Sequence, residues 1–179
     1  MVSSAVRIVQ RYLVPKFVVS IYHLLRSGAS VSASARVQLT SKIAFGKATV
    51  VKALAVVQTS GGAVRLGRHC ALSSFDHIST GDGDVVIGDY VRIAPNCTLV
   101  GGTKAIAPRG EVIVDQPEVV PNGIVIGDDV LIGAGTVVLP ATNIGRGVVI
   151  GAGSVVQGDI PDYAIAAGRP AKVIGERKP

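Results

Sequence analysis

Three histidines, His23, His69 and His77, are the side chains here whose ordinary pKa lets them exchange a proton near neutral pH. Their settings separate them. His23 lies in an N-terminal stretch of helical texture and reads as a structural or surface residue, while His69, in LGRHC, falls at a repeat position expected to be exposed. His77 follows Asp76 in SSFDHIST, so that a carboxylate and an imidazole stand side by side, and it is the histidine to assign to chemistry. The three are scattered along the chain, so a three-histidine zinc site is not expected. Two turns, Gly133-Ala134-Gly135 and Gly151-Ala152-Gly153, are expected to leave backbone amides uncovered along an edge where an extended polar ligand can bond to main chain. Arg169 and Lys172, in AAGRPAKVIGERKP, place positive charge near the chain end. No phosphate-cradling glycine motif occurs in a strand-turn-helix context.

The elements that must hold these residues follow a six-residue beat. Aliphatic side chains recur at Ile126, Ile132, Val138, Ile144, Ile150 and Val156, with glycine directly after four of them. Such an internal repeat fixes the fold. Three short strands per turn of a left-handed parallel β-helix need an inward aliphatic at every sixth position and small or β-branched residues at the corners; Val130, Thr136, Thr142, Val148 and Ser154 supply them. The same register runs through Val31, Val37 and Ile43, through Leu66, Leu72 and Ile78, and through Ile87, Ile93 and Leu99. The step from Ile78 to Ile87 is nine residues and predicts an insertion; between Thr49 and Val64 the pattern blurs into coil with a bulge or small loop. Residues 100–123 break it altogether, and a long excursion from a compact coil is where chemistry is sought. The expected fold is an all-β solenoid, a left-handed parallel β-helix with an N-terminal helix, an extended loop and a short C-terminal tail. The expected organisation is an amphipathic helical segment over 1–30, the β-helix over 31–175 and a tail over 176–179.

Composition narrows the class. The chain has 179 residues, 22 of them glycine, no tryptophan and 4% aromatics, which suits a core of stacked Val and Ile. Its mean hydropathy is +0.48, yet the aliphatics are periodic and form no spanning helix. The opening residues lack a secretory cleavage site. Cys70 and Cys97 each follow an inward aliphatic by four residues, so both read as small corner residues rather than a disulfide, in keeping with a cytoplasmic setting. Residues 4–26 show apolar side chains at helical spacing, divided or kinked at Pro15, with Arg7, Arg11 and Arg26 close on the helical wheel. This segment caps the open first coil, or lies on an anionic membrane surface at the inner face of the cell membrane. The net charge of +6 fits such a surface or an anionic ligand; nucleic acid is not expected, because no basic face is interleaved with aromatics.

Residues 123–175, GIVIGDDVLIGAGTVVLPATNIGRGVVIGAGSVVQGDIPDYAIAAGRPAKVIG, resemble the C-terminal half of the hexapeptide-repeat acyltransferases, and the resemblance extends less tightly back to about residue 31. The resemblance implies a homotrimer with sites between subunits, transferring acetyl from acetyl-CoA directly to an acceptor with a histidine as base and no metal. In the branch of galactoside and maltose acetyltransferases that histidine follows a segment similar to IGDYVRIAPNCTLVGG, at the position that Lys104 holds here. An ordinary lysine is protonated at neutral pH and takes no proton. The serine acetyltransferase branch instead has an Asp-His pair before the loop and a stretch similar to TLVGGTK, matched by Asp76-His77 and by Thr98 to Lys104. Carried over, His77 is the base, Asp76 a polar partner for the acceptor, and Thr103 and Lys104 substrate ligands. Gly133, Ala134, Gly151 and Ala152 would line the acetyl-CoA groove, with Arg169 and Lys172 against the CoA phosphates. The implied reaction is O-acetylation of a sugar or polysaccharide precursor; N-acetylation of an amino sugar and a catalytically silent trimeric scaffold are the alternatives.

Overall fold

The computed structural model describes residues 15–105, 110, 112–119 and 123–178. It is a left-handed β-helix whose short parallel strands stack into three faces. Face one runs β1 (Ser30–Val31), β4 (Val50–Val51), β7 (Ala71–Leu72), β10 (Arg92–Ile93), β15 (Leu131–Ile132), β17 (Val149–Ile150) and β19 (Ala164–Gly168). Face two holds β2 (Arg36–Val37), β5 (Val56–Gln58), β8 (His77–Ser79) and β11 (Thr98–Val100). Face three holds β3 (Ile43–Phe45), β6 (Val64–Leu66), β9 (Val85–Ile87) and β14 (Ile124–Ile126). Two longer strands, β16 (Val137–Ile144) and β18 (Val155–Ile160), bend from face two into face three and join both into one hydrogen-bonded ladder.

The inward ladders are what the six-residue beat encodes. Val31, Val51, Leu72, Ile93, Ile132 and Ile150 stack on face one, and Val37, Val57, Ile78, Leu99, Val138 and Val156 on face two, all buried. Each such side chain removed from water is worth about 1.5–3 kcal/mol, and a narrow coil has room for little else. On face three the aligned residues are Phe45, Leu66, Ile87, Ile126, Ile144 and Ile160, so the first coil is anchored there by Phe45, with Ile43 two residues before it. The blurred segment 49–64 is regular coil through β4 and β5, followed by a widened corner at Ser60-Gly61-Gly62.

That corner, between faces two and three, is the one place where coil length varies. The aligned step is nine residues from Val57 to Leu66 and from Ile78 to Ile87, six from Val138 to Ile144, and four from Val156 to Ile160, where Gly158 turns at φ +82°. The loop over 100–123 leaves and re-enters at the same corner. Gly101 and Gly123 sit directly on the backbone of Thr80 to Asp84 in the coil below; a Cβ on Gly123 would lie 2.0 Å from the Asp84 carbonyl oxygen. The described part of the loop includes an antiparallel pair, β12 (Thr103–Lys104) with β13 (Glu118–Val119), and a 3-10 turn at Ile113–Asp115.

At the ends, α1 (Lys16–Ser27) covers the first coil and stops at Gly28, which takes the left-handed conformation at φ 70°. Of the helix expected over residues 4–26, residues 4–14 lie outside the described residues. At the other end β20 (Ala171–Glu176) folds back antiparallel on β19, so the chain end is part of the sheet up to Glu176.

Candidate functional site

His77 opens β8 on face two, and strand alternation turns its ring outward while Ile78 fills the core. It is half-buried, aligned with Val56 in the coil below and Thr98 in the coil above. Its Nε2 lies 3.2 Å from Nε2 of Gln58. Two nitrogens at that distance require one donor and one acceptor, so the Gln58 amide fixes which ring nitrogen carries the proton. Two residues beyond His77, Ser79 aligns with Val100, the last residue before the loop departs. The imidazole therefore stands on the face from which the loop rises.

Asp76 does not stand beside an acceptor, as its place next to His77 suggested. It occupies the corner four residues after Leu72, where its carboxylate turns into the coil and is 0% exposed. Both oxygens are used: Oδ2 accepts the Ser73 N–H at 2.7 Å and Oδ1 the Cys97 N–H at 2.9 Å. Burial, outweighing those two amides and the Lys52 charge, pushes its pKa up to about 7. A carboxyl sealed inside the coil reaches no external ligand. What it does is tie the turn before His77 to the next coil.

Thr103 and Lys104 are exposed at the root of the loop, and Lys104 Nζ donates to the Gln116 carbonyl at 3.1 Å. Gln116 itself is buried. The lysine is thus held in place as a donor.

The second group of expected residues comes together on one edge. Gly133-Ala134-Gly135, Gly151-Ala152-Gly153 and Arg169 all lie at the corner between faces one and two, with Arg169 Nε donating to the Gly153 carbonyl at 2.6 Å. Lys172 is exposed on β20, opposite Ala167. The glycine amides are not free, however. Gly133 donates to Ile150, Gly151 to Ala166, Gly135 to Pro95 and Gly153 to Ala134, because the coils stack closely enough to pair them. What these glycines provide is room: a Cβ on Gly133 would meet Ala152 N at 2.5 Å, whereas one on Gly135 would meet nothing within 4 Å. The left-handed corner column runs Leu54, Phe75, Asn96, Gly135 and Gly153, each at positive φ. It is bulky low on the coil, where Leu54 and Phe75 protrude, and bare above. His77 and the bare edge therefore share one side of the solenoid, two coils apart, about 10 Å at the usual strand spacing.

Cys70 and Cys97 are buried corner residues with free thiols, and burial raises the pKa of both, Cys97 to about 11. His69 is exposed and stacks on Tyr90, ring centroids 5.1 Å apart. His23 is buried under α1 against the Phe45 ring. Among the described residues no group of His, Cys, Asp and Glu could hold a metal ion.

Residues 123–158 match the family described as bacterial transferase hexapeptide (six repeats). Over 122 residues the chain is 34% identical to a probable acetyltransferase of Mycobacterium tuberculosis, a match covering 68% of this chain and 40% of that protein. Over 116 residues it is 40% identical to a galactoside O-acetyltransferase of Escherichia coli K12, covering 65% of this chain and 55% of the relative. The matches thus span about half the length of these curated relatives. A Bacillus cereus N-acyltransferase, solved with dTDP and coenzyme A, superposes with a TM-score of 0.73 at 20% identity, covering 84% of this chain and 82% of that one; it attests the fold. Residues 123–158 thus carry a matched hexapeptide repeat on a coil of the left-handed β-helix fold, and the chain is similar in sequence to proteins named galactoside O-acetyltransferase.

Proposed function

We propose that this protein transfers an acetyl group from acetyl-CoA to a sugar hydroxyl, with His77 as general base. The observation that supports this most is the placing of a half-buried, outward imidazole on the same side of the coil as the bare Gly133–Gly153 edge, in a chain whose relatives are named acetyltransferases. In this reading the acceptor oxygen attacks the thioester carbonyl while His77 takes its proton. The C–O bond forms, the C–S bond breaks, and the imidazolium returns the proton to the departing thiolate. The Gln58 amide nitrogen donates to Nε2, which leaves the ring proton on Nδ1 and makes Nε2 the nitrogen with the lone pair; in this reading the acceptor hydroxyl takes the place of the Gln58 contact when it gives its proton to Nε2. The bare edge would seat the pantetheine arm in its shape rather than through glycine amides, with Arg169 and Lys172 toward the phosphates. Thr103 and Lys104 would contact the acceptor.

A homotrimer belongs to the same proposal, since this reading places the site between subunits. Half-buried Val56, Val100, Val137, Leu139 and Val155 on the outer side of face two are the kind of surface a second subunit covers. A cytoplasmic setting, where acetyl-CoA is available, completes it.

The test is thiol release from acetyl-CoA with a panel of sugars and amino sugars, alongside calorimetry of acetyl-CoA binding. Binding and turnover on hydroxyl acceptors support the reading; turnover confined to amines would make it an N-acetyltransferase. No binding would leave a silent scaffold.

A further inference from the structure

In a solenoid, position along the chain is position along the axis, because each coil touches only its neighbours. The charges of this chain are sorted along that axis. From Pro15 to Phe75 there are eight Lys and Arg and no Asp or Glu; from Asp76 onward all twelve acidic residues stand against eight Lys and Arg. The end that carries α1 is therefore uniformly basic and the far end is net acidic. Arg36, Lys42, Lys47 and Lys52 are exposed on the first coils, and Lys47 lies beside Gly28 at the end of α1.

The helix on that end is one-sided in an unusual direction. Val19 and His23 face inward, packed on the core and on Phe45. Phe17, Ile21, Leu24 and Leu25, at spacings of four, three and one, point away from it and are 57%, 50%, 55% and 81% exposed. They form a single apolar stripe, while exposed Arg26 lies on the other side of the helix in its last turn, against Tyr22. No helix among the described residues is long and apolar enough to cross a membrane, so the stripe suits contact along a surface rather than passage through one.

We propose that the basic end of the solenoid docks on an anionic lipid bilayer, with α1 lying in the interface and Phe17, Ile21, Leu24 and Leu25 entering the headgroup border. The charge pattern selects this occupant. A second copy meeting the same surface would bring two uniformly basic ends together, and nucleic acid would have no use for an aliphatic stripe. Lipid headgroup phosphates answer the lysines and arginines while acyl chains answer the stripe. This inference stands whether or not the transferase reading does.

The chain has no tryptophan, so Phe17→Trp gives a single reporter. The full chain is mixed with vesicles of phosphatidylcholine alone and with vesicles containing phosphatidylglycerol, and binding is followed by sedimentation and tryptophan emission. The expected result is sedimentation and a blue shift with phosphatidylglycerol vesicles only, weakened by salt. Leu24→Asp/Leu25→Asp, which alters exposed side chains, should lower the bound fraction about tenfold while leaving the thermal melt in place. Absence of binding at low salt overturns the proposal, as does unchanged binding by the double variant. Lipid-independent self-association that the double variant abolishes overturns it in favour of a second copy. Competition by duplex DNA in place of vesicle binding overturns it in favour of nucleic acid. Were the double variant unfolded, the emission of Phe17→Trp on the two kinds of vesicle decides alone.

Discussion

Asp76 shows how one residue can be legible and misread at once. It stands four residues after Leu72, as Cys97 stands four after Ile93, and that spacing marks an inward corner. Its neighbour His77 suggested an external partnership instead; the corner rule wins, because the corner between faces one and two of so narrow a coil turns that position inward. The consequence is a pH-dependent stability. The folded chain holds the Asp76 proton up to about pH 7, while the unfolded chain releases it near the ordinary carboxylate value of 3.8. Between those values the folded state binds more proton than the unfolded state, so the stability contributed by this residue falls as pH rises through the window and levels off above it. Denaturant melts from pH 4 to 8 should show that fall, and Asp76→Asn should flatten it; an unchanged slope would mean that Asp76 titrates normally. Asp76→Ala should cost roughly 1–3 kcal/mol at pH 4, because it strands the Ser73 and Cys97 amides, and less as pH rises toward 8. Gln58 was not legible in the same way. It meets His77 across 19 residues, a contact visible only once the nine-residue corner step is taken to give a 21-residue coil that aligns Val56 with His77.

At the scale of elements, periodicity located the strands and said little about the corners. A corner that bulges outward leaves the inward ladder undisturbed, so steps of nine, six and four residues all keep the aligned residues in register. This is also why the break at 100–123 could be placed but its internal pairing of Thr103–Lys104 with Glu118–Val119 could not. The antiparallel return of β20 escaped for a related reason: AKVIGE has the texture of a strand, and texture carries no direction. The glycines at the face-one corner make a sharper point. Gly133 is required by the coil above, since any Cβ meets Ala152 backbone, whereas Gly135 is required only by its φ of +68°. Gly133→Val should lose roughly 3 kcal/mol, the upper end of overpacking costs, and Gly135→Ala about 1 kcal/mol, the ordinary cost of an L side chain in the left-handed region. Paired thermal or urea melts check this, and equal losses would show that stacking distance does not govern the corner.

At the scale of the molecule, the coil sets its surface features along and around one axis. The basic end carries an outward apolar helix; the middle carries His77 and the loop root; the far end carries the bare edge with Arg169 and Lys172. The proposed trimer should appear in light scattering at three times 18.3 kDa. Val137→Asp on the outer side of face two should shift it toward the monomer, and a wild-type chain that is monomeric throughout would remove the shared site. The central claim is most directly tested by His77→Ala, compared with the wild type for acetyl-CoA affinity by calorimetry and for acetyl transfer by thiol release. The account predicts unchanged affinity with turnover reduced about 100- to 10,000-fold, the usual contribution of a general base. Turnover equal to the wild type would contradict it and move the base to another residue.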